Sequence, residues 1–149
     1  MTSAEHVLYK QFEIKGQDFH NAGRISTTIK EILQELGIES SIIRRAAIAA
    51  YESEMNVIMY ADRGKLSLNL SPAAIHMRIE DKGPGIENIK LAMQEGYSTA
   101  TEEMREMGFG AGMGLPNIKK NSDEFKISSI PGKGTSLDII FNLNQRKKT

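Results

Sequence analysis

Seven of the thirteen glycines in this 149-residue chain fall between Asp81 and Leu115. Glycine inside a helix or strand is unfavourable, so this density demands backbone that takes positive φ or lies against something large. The stretch opens with Asp81-Lys82-Gly83-Pro84-Gly85 behind an alternating strand pattern (Ile75, Met77, Ile79). It closes with Gly108-Phe109-Gly110-Ala111-Gly112-Met113-Gly114-Leu115 ahead of a short helical run. A glycine run ending at Leu115-Pro116, with Pro116 suited to a first helical turn, presents unpaired N–H groups at a helix N-terminus, and that arrangement attracts anions. Two common phosphate loops fail on the letters. A Walker A loop closes on Gly-Lys-Ser/Thr, whereas Gly132-Lys133-Gly134-Thr135 sets a glycine between lysine and hydroxyl. A dinucleotide fingerprint begun at Gly108 or Gly110 needs glycine where Met113 or Leu115 stands. A third kind of nucleotide site is required.

With 40% hydrophobic residues, 149 residues can build one genuine core, so a single domain over 1–149 is expected. Nineteen basic residues balance nineteen acidic ones. Nucleic-acid and anionic-membrane interfaces usually need a basic excess, so neither is expected as the main partner. There is no apolar run of membrane-spanning length and no secretory leader pattern, which leads to a cytoplasmic expectation. Zero cysteines remove disulfides, thiolate zinc sites and cysteine nucleophiles. His6, His20 and His76 lack metal-ligand spacing and read as structural or surface residues.

Loose alternation from His6 to Ile14 predicts a first strand, turned by Lys15-Gly16-Gln17. Asp18 is the expected N-cap of a helix whose apolar positions (Ala22, Ile25, Ile29, Ile32, Leu33, Leu36) step by three and four until Gly37 stops it. A second helix is expected from Ser40 or Ser41 to about Ala61. Apolar residues occur nearly all round it, so it should be buried or sandwiched. Set into it are Glu52, Ser53, Glu54 and Asn56. Glu52 and Asn56 are four apart and share a face. Two readings of this polar set stand: a narrow solvated stripe, or a carboxylate and an amide projecting together toward a polar ligand, since either left unsatisfied in a buried setting would cost a few kcal/mol.

Asp62-Arg63-Gly64-Lys65 reads as a turn, followed by strands at 66–70 and 75–80 that deliver Asp81 to a strand end. Ile86, Ile89, Leu91, Ala92 and Met93 suggest a short helix. Gln94 to Met107 loses periodicity and carries Glu102, Glu103, Arg105 and Glu106, as a segment that folds over a ligand would. Met104 and Met107 read as packing residues. A helix from Leu115 to about Asn121 and a hairpin of 124–130 with 135–143 about Pro131-Gly132-Lys133-Gly134 complete the pattern. The expected class is α+β: a two-layer α/β sandwich with a mostly antiparallel sheet and helices on one face.

Four motifs carry a resemblance: Glu52-x-x-x-Asn56, Asp81-x-Gly83-x-Gly85, Gly110-x-Gly112-x-Gly114-Leu115 and Gly134-Thr135. In this order and spacing the chain resembles the GHKL (histidine kinase-like) ATPase superfamily from about Asp18 to Phe141, and within it the anti-sigma factor and stressosome-type serine/threonine protein kinases. The resemblance implies the Bergerat ATPase fold, ATP and Mg²⁺ as ligands, and phosphorylation of a STAS-domain antagonist protein. Asp81 would accept from the adenine amino group, with Gly83 and Gly85 admitting the ring and Thr135 supporting the pocket. Asn56 would ligate Mg²⁺ through its amide oxygen. Glu52 would act as general base or orienter for the incoming hydroxyl. Gly108, Gly110, Gly112, Met113, Gly114 and Leu115 would border the phosphates. Arg105 would reach the terminal phosphate, or else is a solvated surface arginine. Lys119 and Lys120 read first as surface lysines.

Two branch patterns blend. Asp-x-Gly-Pro-Gly-Ile at 81–86, Gly96-Tyr97-Ser98-Thr99 and the Gly-Ala-Gly at 110–112 look like the stressosome switch kinases. The charged 100–107 segment and Gly112-Met113-Gly114-Leu115 look like the sigma-sequestering kinases. A sigma factor or a regulatory phosphatase is therefore open as a further partner, as is a homodimer. A second functional class is a non-catalytic ATP-sensing module in which nucleotide orders 94–107 to make a docking surface. A histidine-kinase catalytic fragment fits poorly, because no His sits in a helical phosphoacceptor context.

Overall fold

The computed structural model describes residues 7–94 and 114–143. In chain order these form β1 (Leu8–Lys15), a 3-10 turn (Phe19–Asn21), α1 (Arg24–Glu35), α2 (Ser40–Tyr60), β2 (Arg63–Leu70), β3 (Ala74–Lys82), α3 (Ile89–Ala92), α4 (Gly114–Asn121), β4 (Glu124–Ile130) and β5 (Gly134–Asn142). The strands make one five-stranded sheet, ordered β1-β2-β3-β5-β4, with every pairing antiparallel. The α+β expectation holds: α2 and α4 pack on the sheet, and α1 packs on α2 with Ile25, Ile29 and Leu33 in the same core.

The period of two decides which side chains meet the helices. Leu66, Leu68 and Leu70 of β2, Ile75, Met77 and Ile79 of β3, and Leu137, Ile139 and Phe141 of β5 are all buried in the core. Asp81 and Thr135 continue the β3 and β5 rows at the same parity, so both lie on the helical side at the sheet's end. The opposite face is polar. There His76 Nε2 meets Asp138 at 2.8 Å, and Arg78 pairs with Asp138 at 2.6 Å and Glu80 at 2.7 Å. His76 thus has the surface role expected of it, while His6 lies outside the described residues.

Helix α2 runs through the middle of the helical layer, between α1 and α4, with Ala46, Ala49, Ala50, Val57 and Ile58 buried. Arg45 ties three elements together. It donates to the Asn121 carbonyl at 2.8 Å, closing the end of α4, and its guanidinium lies 5.6 Å from the centre of the Phe141 ring of β5.

Three local expectations need correction. Asp18 does not cap α1; its carboxylate accepts from the Asn21 amide, and α1 begins at Arg24 behind Gly23 at φ 92°. The cap comes instead from across the layer. The buried Glu54 carboxylate of α2 accepts from the backbone N–H groups of Gly23 (3.2 Å), Ile25 (3.4 Å) and Ser26 (3.3 Å). The segment from Arg63 to Lys65 is strand rather than turn, because it pairs with both β1 and β3 and Gly64 lies directly beneath Val57 of α2. The short helix after the Gly-Pro-Gly turn covers only Ile89–Ala92, started by Asn88, whose side chain accepts from the Leu91 N–H.

Glu54 yields a measurable expectation. Burial raises its pKa, and the three N–H groups together with nearby Arg24 only partly oppose the rise. Glu54→Ala leaves those donors without their acceptor and should lower stability by about 1–3 kcal/mol, read from urea midpoints. A folded pKa above the unfolded one means that the carboxyl's contribution is complete below the ordinary glutamate range. It declines as pH rises through the raised value, so the deficit of the variant should shrink in that window.

Candidate functional site

Asp81 and Thr135 form one pole of the site. Thr135 donates its backbone N–H to Asp81 Oδ1 at 3.1 Å. Burial pushes the Asp81 carboxyl above the usual aspartate range, and that N–H pulls it only partly back. Asp81 Oδ1 has this partner, and the half-buried carboxylate retains acceptor capacity for a donor in a ligand.

The loop after Asp81 is anchored on two sides. The Gly83 N–H donates to Lys133 O at 3.2 Å, and the Gly132 N–H donates to Pro84 O at 2.8 Å, so the Gly-Pro-Gly turn is fastened to the β4–β5 hairpin. Ser129 completes the fastening. Its hydroxyl accepts from the Ile86 N–H at 2.7 Å, lies 2.8 Å from Thr135 Oγ1 and is 3.1 Å from the Gly134 carbonyl. The glycines here serve close chain approach. A side chain at Gly83 would meet Ala61 at 2.8 Å, and one at Gly85, where φ is 74°, would run into Ile130 O. Gly83 and Gly85 therefore let this loop lie flat against the end of α2 and the hairpin.

The second pole lies on α2 and the start of α4. Glu52 and Asn56 are one turn apart, and both aim at the first residue of α4. A Cβ on Gly114 would come within 3.1 Å of Asn56 Oδ1 and 3.4 Å of Glu52 Oε1. Asn117, one turn along α4, donates its amide to Glu52 Oε2 at 3.3 Å. Within the α2 polar set, Glu52 and Asn56 both come close to Gly114, while Glu54 points away to cap α1. Ala61, nine residues beyond Glu52, touches Gly83. At 1.5 Å per residue the end of α2 at Ala61 lies roughly 7 Å along the helix from Asn56 and roughly 13 Å from Glu52.

Leu115 is half-buried against the core, and Lys119 and Lys120 are exposed. Arg105, Gly108, Gly110, Gly112 and Met113 lie outside the described residues, as does nearly all of the 94–107 segment. Sequence reasoning missed Asn117 and Ser129. Ser129 had a usable signal, because it faces Thr135 directly across the Pro131–Lys133 turn. Asn117 had none beyond standing three residues after Gly114.

Among the described residues no cluster of three or more His, Asp or Glu could hold a metal. A metal here would need oxygens from a ligand, with Asn56 as one protein donor. No helix among those residues is long and apolar enough to cross a membrane.

The family model for the histidine kinase-, DNA gyrase B- and HSP90-like ATPases matches residues 40–146. The chain is 30% identical to the serine/threonine-protein kinase RsbT of Bacillus subtilis (strain 168), over 74% of this chain and 80% of that protein. It is 32% identical to the anti-sigma F factor of Thermoanaerobacter sp. (strain X514), over 76% of this chain and 72% of the other. It is 27% identical to the anti-sigma F factor of Anoxybacillus flavithermus (strain DSM 21510 / WK1), over 83% and 78% of the two chains. The matched span takes in both poles of the site.

Proposed function

This chain belongs to the histidine kinase-, DNA gyrase B- and HSP90-like ATPase family, and we propose that it is an ATP-dependent protein serine/threonine kinase acting in a cytoplasmic partner switch, with a STAS-domain antagonist protein as its substrate. The observation that carries the reading is the convergence of Glu52 and Asn56 on Gly114, on the helix whose end touches the loop behind the Asp81–Thr135 pole. The names of its relatives, a serine/threonine-protein kinase and anti-sigma F factors, support the class of activity.

In this reading Asp81 accepts from the adenine amino group while its other bond, from the Thr135 N–H, keeps the carboxylate aimed. The N–H groups that open α4 face the phosphates. Asn56 would offer its amide oxygen to Mg²⁺, a hard cation that takes few ligands from protein when phosphate oxygens are at hand. Bound there, magnesium would neutralise phosphate charge. The donor set fits, since it consists of hard oxygens with a carboxylate close by.

Glu52 takes the proton from the acceptor hydroxyl as that oxygen forms its bond to the terminal phosphorus and the bond to ADP breaks. Asn117 holds the carboxylate in position, so little reorganisation is left for the transition state.

Incubation with terminally labelled ATP, Mg²⁺ and each STAS-domain protein of the same genome should move label to a serine or threonine of one of them. A folded, ATP-loaded protein that labels no STAS-domain protein from the same genome would overturn the reading.

A further inference from the structure

The outer side of the α1–α2 pair carries an open groove of about 720 Å³ that the nucleotide chemistry does not use. Lys30 and Gln34 enter it from α1, and Arg44, Ile48, Tyr51 and Glu52 from α2. On α2 the lining residues run from Ser40 to Glu52 at spacings of three and four, a complete helix face. Twelve residue steps at 1.5 Å make that face roughly 18 Å long. An extended segment of about five residues covers such a length.

Three properties of the groove point to one kind of occupant. Its lining places two cations, Lys30 and Arg44, along its length, and among the described residues the one carboxylate in the lining is Glu52 at its end. Ile48 and Tyr51 are 36% and 37% exposed, which is apolar surface that a folded chain gains nothing by leaving wet. The groove is also continuous with the site, because Glu52 both ends the groove and faces Gly114 at the start of α4.

We infer that this groove is the docking cleft for the acceptor segment of the protein substrate, and that Lys30 and Arg44 select an acceptor whose serine or threonine is flanked by an acidic side chain. The inference rests on the kinase reading of Glu52. A segment lying here brings its hydroxyl to Glu52 at one end and its apolar side chain onto Ile48 and Tyr51. Arg44 is eight residues from Glu52, and Lys30 enters from α1 between those ends. The acidic residue therefore stands about two to four residues from the acceptor hydroxyl. Burial and the neighbouring Glu52 and Glu54 raise the Tyr51 pKa, so its hydroxyl stays protonated and able to donate to the segment.

The test uses the full chain with each STAS-domain protein of the same genome as acceptor. The double variant Lys30→Glu/Arg44→Glu should raise the KM for the acceptor about ten-fold or more, while ATP affinity stays at the wild-type value, because charge reversal at a docking surface acts on encounter and register. Changing the acceptor's flanking acid to lysine should restore transfer by that double variant. A wild-type KM for the double variant, or no gain from the swapped acceptor, would overturn the inference. A photo-crosslinking residue at position 48 gives a readout that needs no phosphoryl transfer. Crosslinks to the segment around an acceptor hydroxyl, lost in the double variant, support the cleft even if no label moves, in which case only the kinase reading falls. Crosslinks elsewhere on the acceptor, or none, overturn the cleft whether or not label moves.

Discussion

Glu52→Gln should retain ATP binding while phosphoryl transfer falls by roughly 10² or more, the scale of losing a general base. Glutamine keeps the size of the side chain and an amide oxygen that can still accept from Asn117, so the start of α4 and the end of the groove keep their geometry. What disappears is the group able to take a proton from the acceptor hydroxyl. The measurement is single-turnover transfer at saturating acceptor, with nucleotide affinity followed in parallel. Unchanged turnover would remove Glu52 from the chemistry. Partner binding by the variant with wild-type ATP dependence, from a protein that shows no transfer in either form, would favour the non-catalytic sensing module instead.

The largest loss of nucleotide affinity should follow Asp81→Asn. The variant side chain can still accept the Thr135 N–H through its oxygen, but it then turns an NH₂ toward the ligand. Two donors would then meet where, in the proposed site, the adenine amino group approaches a carboxylate. The unmatched pair should weaken ATP binding by about 10² or more, in keeping with the cost of a buried polar group left without its partner. Isothermal titration reads this directly.

The pH dependence follows from the same group. Burial holds the Asp81 carboxyl above the usual aspartate range, and in the proposed base-binding role it must be ionised, so protons should compete with nucleotide. Wild-type affinity should be flat at neutral pH and fall, as acid is added, at a higher pH than an ordinary aspartate would dictate. The Asn variant should lack that step. A wild-type profile without it would take Asp81 out of the base-binding role.

Much of this arrangement was legible in the letters because it depends on local pattern. The alternation of Ile75, Met77 and Ile79 sets which face of β3 is buried, and by the same count it puts Asp81 on the helical side. The four-residue step from Glu52 to Asn56 sets them on one helix face whatever surrounds the helix. What the glycines of this stretch approach was not legible: a side chain at Gly83 would meet Ala61 and one at Gly85 would meet Ile130, neighbours that only the fold supplies.

What stayed hidden depends on elements far apart in sequence. No local rule distinguishes Glu54 from Glu52 two residues earlier. Yet the packing of α1 on α2 turns Glu54 into the cap of another helix, and Asp18, the better candidate by sequence, is spent on Asn21. Arg63 to Lys65 has turn-forming letters, but pairing on both edges and a helix resting on Gly64 make it strand. Asn117 and Ser129 acquire their roles only because α4 crosses α2 and the last hairpin closes over the Gly-Pro-Gly loop. The chain alone determined which residues could do chemistry, since residue type and helical or strand period are local properties. Only the tertiary fold decided which of them meet, since hydrogen bonds and burial are made between segments that the sequence keeps dozens of residues apart.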